Sequence, residues 1–176
     1  HGLPLGVKDL SNAAGFPTVK GSPLFAKSKP AKRDDLMVAR MRAAGALVVG
    51  KTNTPEFGLG SNTYNPVFGR TANPWDLSRT CGGSSGGAAV ALATGMVPLA
   101  DGSDMMGSLR NPAGWTGIYG FRPTYGLVPD EPEGDSYLHQ LATLGPMGRC
   151  PRDIALLLSV QAGPDPRLPD LVPVPD

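Results

Sequence analysis

The run "CGGSSGG", Cys81 to Gly87, sets two adjacent serines between paired glycines, and an apolar, Ala-rich segment follows at once. Three readings compete for such a string. A Gly-Ser linker would be flexible, but linkers rarely continue into an apolar helix flanked by strands. A phosphate cradle would present backbone N–H groups at a helix start, yet neither the P-loop spacing nor the dinucleotide fingerprint is present. The third reading is a reactive serine, and a serine needs a base. The chain has two histidines: His1 at the terminus, and His139 in the polar stretch "DSYLHQ". Neither has suggestive neighbours, so lysine is the remaining candidate. Lys8 closes the apolar stretch "LPLGVK", where desolvation would favour the neutral amine that a base requires.

Apolar periodicity and turn residues supply the elements that must hold these groups. "LPLGVK" (Leu3 to Lys8) reads as a short strand. "RDDLMVARMRAAGA" reads as a helix, with Asp34 and Asp35 in its first turn and Gly45 as its stop. "ALVVG" then reads as a strand covered on both faces. Lys51 to Arg79 is loop-like, punctuated by "TNTP", "NP" and "NPWD". "GGAAVALATG" reads as a short, tightly packed helix ended by Gly95, "VPLA" as a strand, and "DIALLLSVQAG" as an apolar helix with Pro151 and Asp153 at its start. Strands alternating with helices imply an α/β layered architecture. Residues 1–163 form part of one domain, and 164–176 a Pro-rich connecting segment.

Composition narrows the function classes. The chain has 176 residues, 24 glycines and 19 prolines, but its 40% hydrophobic content and runs such as "GALVVG" and "IALLLSV" are those of a folded, loop-rich protein. A net charge of +1 gives no electrostatic reason to expect nucleic acid or an anionic membrane as partner. The basic stretch "KSKPAKR" reads as a solvated loop. Two cysteines, Cys81 and Cys150, make neither a disulfide framework nor a zinc site, which fits a reduced, cytoplasmic protein. No apolar run reaches the length of a membrane span, and no signal peptide is visible.

Four blocks together carry a resemblance: "GLPLGVKD", "GALVVGKTNTPEFG", "CGGSSGGAAVALATG" and "DGSDMMGSLRNPAGWTGIYGFRPTYGLVP". In order and spacing, from His1 to about Gly163, the chain resembles the amidase signature family. The resemblance implies a three-layer α/β/α fold around a mixed sheet, only part of it present in this chain. It also implies a Ser–cis-Ser–Lys triad. Lys8 matches the family's lysine, Ser84 the serine after a cis peptide bond, and Ser108 in "MGSLR" the nucleophile, 24 residues after Ser84 as in the family. Ser85 is implied as an accessory hydroxyl near Lys8, and the backbone N–H groups of Met105, Met106, Gly107 and Ser108 as the oxyanion hole. The implied reaction is hydrolysis of a carboxamide to an acid and ammonia or an amine, with no metal or organic cofactor.

Other residues have plainer readings. Asp9 and Asp104 are expected to orient loops, Arg110 to make a structural ion pair, Cys81 to be a small buried thiol, and Trp75 and Trp115 to pack. One departure concerns substrate choice: the family commonly has two glycines before the nucleophile, and this chain has Met106-Gly107, which suggests a pocket for apolar acyl groups. A second is length. Family members are more than twice as long, so the isolated chain is expected not to turn over an amide. The expected partner is a small-molecule amide, with no nucleic acid and no membrane; a homodimer is a candidate assembly. The rival readings are a glutamine-hydrolysing subunit of a tRNA-dependent amidotransferase, a catalytically inactive relative serving as a binding module, and a nucleotide-binding α/β domain.

Overall fold

A computed structural model describes residues 2–132 and 140–168. Along the chain run β1 (Pro4–Lys8), α1 (Leu36–Ala43), β2 (Leu47–Thr52), β3 (Tyr64–Asn65), β4 (Gly69–Arg70), β5 (Ala72–Asn73), β6 (Asp76–Thr80), α2 (Gly86–Ala93), β7 (Leu99–Asp104), α3 (Arg110–Thr116), β8 (Tyr119–Gly120), β9 (Thr143–Gly148) and α4 (Pro151–Gln161). Five strands make one mixed sheet in the order β2-β1-β7-β9-β8. β1 runs parallel to both β2 and β7, whereas β9 is antiparallel to β7 and β8. The β3–β4 and β5–β6 hairpins stand apart from it.

Each face of the sheet buries its own apolar cluster. On one face, Leu5, Val7, Leu99 and Leu144 pack with Met37, Val38 and Met41 of α1 and Leu157 of α4. On the other, Ala100 and Met147 pack with Ala88, Ala89 and Leu92 of α2 and Ala113 of α3. This is the expected mixed α/β sheet between helical layers. Because side chains alternate along a strand, Leu5 and Val7 occupy the first face and Lys8 falls toward the second. The period of two therefore points a lysine at the start of α2.

α2 can lie that close because its first two residues, Gly86 and Gly87, have no side chains. A Cβ at Gly87 would come within 3 Å of three backbone atoms of Asn53, and one at Gly86 would strike Thr63 and Cys81.

Several expectations need correction. Asp34 and Asp35 precede α1 instead of sitting in its first turn: Asp34 accepts from Ala14 N–H and pairs with Arg42, and Asp35 accepts from Asn12. Among the described residues β2 lies at the edge of the sheet, and with Leu47 and Val49 both more than half exposed these residues leave part of its apolar run uncovered. The segment read as loop from Lys51 to Arg79 contains the end of β2, the β3–β4 hairpin and most of β5–β6. β9 is not legible as a strand because "TLGPMG" carries two glycines and a proline at the sheet's interior. The rest of the helical and strand readings fall within a few residues of the elements observed. His1, His139 and residues 169–176 of the connecting segment lie outside the described residues.

The contrast between two glycines tests this packing. Gly87→Ala is expected to cost about 1–3 kcal/mol, because backbone cannot yield as a side chain can. Gly114→Ala, at an exposed position of α3 with open space at its Cβ, is expected to gain about 0.5–1 kcal/mol. Urea unfolding of both variants would measure the difference. Equal stabilities would contradict the close approach.

Candidate active site

Lys8 is the largest of the fully buried side chains, with 1% of its surface exposed. Its Nζ meets three hydroxyls: Ser84 Oγ at 2.7 Å, Ser85 Oγ at 2.9 Å and Ser103 Oγ at 2.9 Å. Ser84 and Ser85 sit in the glycine loop that enters α2, and the Gly83–Ser84 peptide is cis. Ser103 comes from β7, near its end. Three partners match the three protons of an ammonium. Burial nevertheless lowers the amine from 10.5 to about 7, against the pull of the carboxylates of Asp101 and Asp104.

The neutral amine has two N–H donors and one lone pair, so one of the three hydroxyls must then donate to it. Ser85 is spoken for: its Oγ donates to Ser103 C=O and accepts from Ser103 N–H, both at 3.3 Å. Ser84, at the shortest distance, is placed to give its proton to Lys8. This arrangement permits transfer from a group beyond Ser84 to the amine. Sequence reasoning misses Ser103; a hydroxyl two residues after Asp101 carries no local signal, and only the strand pairing of β1 with β7 brings it to Lys8.

Ser108 is half-buried and reaches the same loop through its main chain, its carbonyl accepting from Ser85 N–H at 3.2 Å. Among the hydrogen bonds of the described residues, none joins the Ser108 and Ser84 hydroxyls. The structure thus gathers Lys8, Ser84, Ser85 and the Ser108 backbone. The segment before Ser108 is tied down by Asp104. Its Oδ1 accepts from Gly107 N–H (2.7 Å), Oδ2 from Leu109 N–H (3.1 Å), and Arg110 and Arg122 both form ion pairs with it at 3.0 Å. Arg122 also donates to the Asp104 carbonyl. Burial would raise the Asp104 carboxyl, but the hydrogen bonds from Arg110, the two backbone amides and Arg122 outweigh it and hold the group well below the usual carboxylate range.

This knot corrects one expectation. The Gly107 N–H points at Asp104, so it is not free to join Met105, Met106 and Ser108 as an oxyanion donor. Gly107 also has φ +122, and a Cβ there would collide with Asn111. Met106 is 85% exposed and Met105 about half exposed, so Met106 does not pack into the core.

Asp9 fastens Val19 N–H and pairs with Lys51 at 3.0 Å, a loop-orienting part. Arg110 makes the structural pair with Asp104. Cys81 is fully buried, burial raises its thiol, and its Sγ contacts Thr71 C=O, an environment unsuited to a nucleophile. Trp75 and Trp115 are not core residues: both are at least half exposed, and Trp75 is held by its indole N–H on Thr116 C=O.

The chain has clear relatives among known proteins. The family model described as Amidase matches residues 1–176. The A subunit of the glutamyl-tRNA(Gln) amidotransferase of Thermus thermophilus is 48% identical over 165 residues, which is 94% of this chain and 35% of that protein. Its counterpart in Symbiobacterium thermophilum is 46% identical over 166 residues, 94% of this chain and 34% of that protein. Among solved structures, 6-aminohexanoate cyclic dimer hydrolase complexed with substrate superposes with a TM-score of 0.93 at 36% identity, over 98% of this chain and 37% of that one. The native peptide amidase of Stenotrophomonas maltophilia gives 0.86 at 38% identity, over 96% and 35%. The chain spans about a third of the length of these proteins.

Asp104→Asn tests the knot. Removing a buried charge that faces two arginines is expected to cost about 3–5 kcal/mol at pH 7. Since the folded carboxyl sits below its unfolded value of 3.8, its stabilisation is present above that pH and lost as pH falls through the lower folded value. The gap between parent and variant in urea unfolding should therefore narrow between pH 7 and pH 3. A gap independent of pH would contradict the assignment.

Proposed function

The chain belongs to the Amidase family, and from that premise we propose that it carries the proton relay of an enzyme that hydrolyses a carboxamide C–N bond through an acyl-enzyme on Ser108. One observation carries this reading: a fully buried lysine whose amine lies 2.7 Å from the hydroxyl of Ser84, in the loop that also binds the Ser108 main chain.

In this reading Ser108 Oγ attacks the amide carbon. Its proton passes to Ser84 Oγ as Ser84 passes its own to neutral Lys8, which becomes an ammonium. The oxyanion of the tetrahedral intermediate is held by backbone N–H groups of Met105, Met106 and Ser108. Collapse breaks the C–N bond, and the relay returns the proton to the departing nitrogen, leaving an ester on Ser108. Water attacks that ester by the same route, releasing the acid. The exposed thioether side chains of Met105 and Met106, just before Ser108, would favour apolar acyl groups.

A second reading has its own support. The amidotransferase relatives at 46–48% identity favour glutamine as the amide and a multi-subunit partnership for the whole protein. Both readings use one relay and differ in substrate, and the Met106 position speaks for the simple amidohydrolase.

In the full-length protein a fluorophosphonate probe is expected to label Ser108, and Ser108→Ala to abolish labelling. Lys8→Ala and Ser84→Ala should each slow acylation by about 100- to 10,000-fold. Because the neutral amine is the active form, acylation should rise with pH through about 7 and level off above it; His139→Ala should leave that profile in place. Ammonia release from an amide panel that includes glutamine separates the two substrates. Peptide mapping of the label to another serine would overturn the relay.

A further inference from the structure

Each buried acid of the sheet region except one has its oxygens occupied. Asp9 is bound by Lys51 and Val19 N–H, and Asp104 by two arginines and the loop amides. Asp101, on β7, is fully buried and differs. Its Oδ1 accepts from the backbone N–H of Lys8 at 2.7 Å, while its Oδ2 has no hydrogen-bond partner. Its register partner across the sheet is Pro146, which has no N–H to offer. A carboxylate left half-satisfied in the interior is costly.

Among the described residues its side chain takes its hydrogen bond from the main chain of the residue whose amine heads the relay. A buried amine without a nearby anion loses its affinity for protons and becomes a poor base. We propose that Asp101 is a positioning residue for the relay, its buried carboxylate serving as the fixed counter-charge that keeps the Lys8 amine basic enough to take up the Ser108 proton. This role rests on the proposed relay. Lys8 is neutral before acylation and charged after it, so a carboxylate held on the neighbouring strand stabilises the second state over the first. It acts across the interior, where water does not screen it.

The charged surroundings of the pair are few. The charge of Lys51 on β2, itself bound to Asp9, acts on Asp101, Asp104 of β7 adds to the field at Lys8, and α2 and its entry loop offer the Ser84 and Ser85 hydroxyls. Burial pushes the Asp101 carboxyl up to about 6, against the pull of the Lys8 backbone N–H and the Lys8 charge.

The test is Asp101→Asn, which keeps the shape and an oxygen for the Lys8 N–H while removing the charge. Two readouts are needed: the Lys8 titration followed by NMR on Cε-labelled lysine, and the pH profile of fluorophosphonate acylation. The Lys8 midpoint is expected to fall by about one unit or more, a tenfold loss of proton affinity. The acid limb of acylation should move down with it, and the limiting rate at high pH should drop. A folded variant whose Lys8 titrates as in the parent overturns the proposal. Should Asp101→Asn not fold, the parent still decides: the Lys8 Cε signal must show a second inflection where the Asp101 carboxyl titrates, and its absence overturns the proposal. A Lys8 midpoint that moves in a protein whose parent leaves Ser108 unlabelled overturns the relay reading, and with it the role assigned to Asp101. Labelling at Ser108 with an unmoved Lys8 overturns the Asp101 role alone.

Discussion

A lysine amine buried at the end of β1 sets the terms for everything around it. With 1% of the side chain exposed, water cannot solvate the charge, and the folded state lowers the amine from 10.5 to about 7. The unfolded chain therefore binds more protons between those two values, so this group makes stability rise with pH across that window. Below about pH 7 the buried ammonium carries a cost on the order of 5 kcal/mol. That cost is what remains after the pull of the two flanking carboxylates, and three hydroxyls accept from the amine. The glycine loop, the cis bond, the small-residue helix α2 and the turn after β7 are all arranged around one amine.

The second constraint is the fixed course of residues 104–110. Asp104 gathers two backbone amides of that turn and two guanidinium groups, one from the next helix and one from beyond β8. The carboxylate itself has no exposed surface, whereas Arg110 is about half exposed, so the anchor lies inside and its counter-charges reach in from outside. This geometry commits the Gly107 N–H to the Asp104 carboxylate. Gly107 belongs to the anchor, and its N–H bond to Asp104 fixes the turn that leads into Ser108.

These two centres are joined through β7. Asp101, Ser103 and Asp104 lie within four residues on that strand, meeting in turn the Lys8 main chain, the Lys8 amine and the Ser108 turn. A strand paired to β1 on one side and β9 on the other is stiff, which suits groups that must hold their distances. The likeness of the chain to several amide-cleaving enzymes, at TM-scores of 0.86 to 0.93, extends over the elements that build this arrangement.

Much of the candidate site is legible in the residues themselves. Lys8 ends an apolar strand, the paired glycines announce a backbone without side chains, and the four blocks in register point to Ser84 and Ser108. Periodicity likewise locates β1, α1, α2 and α4. Pattern alone does not show that "TLGPMG" is an interior strand, since its proline and glycines speak against one, or that "ALVVG" lies at an edge, since an apolar run looks the same in either place. Ser103 and Asp101 escape notice because each is a lone polar residue whose meaning comes from the strand beside it. Local sequence determines which backbone shapes and which chemistries are available. Only the pairing of β1 with β7, set by non-local hydrogen bonds and by the two apolar clusters that fix the sheet's faces, decided which of those groups share the buried amine.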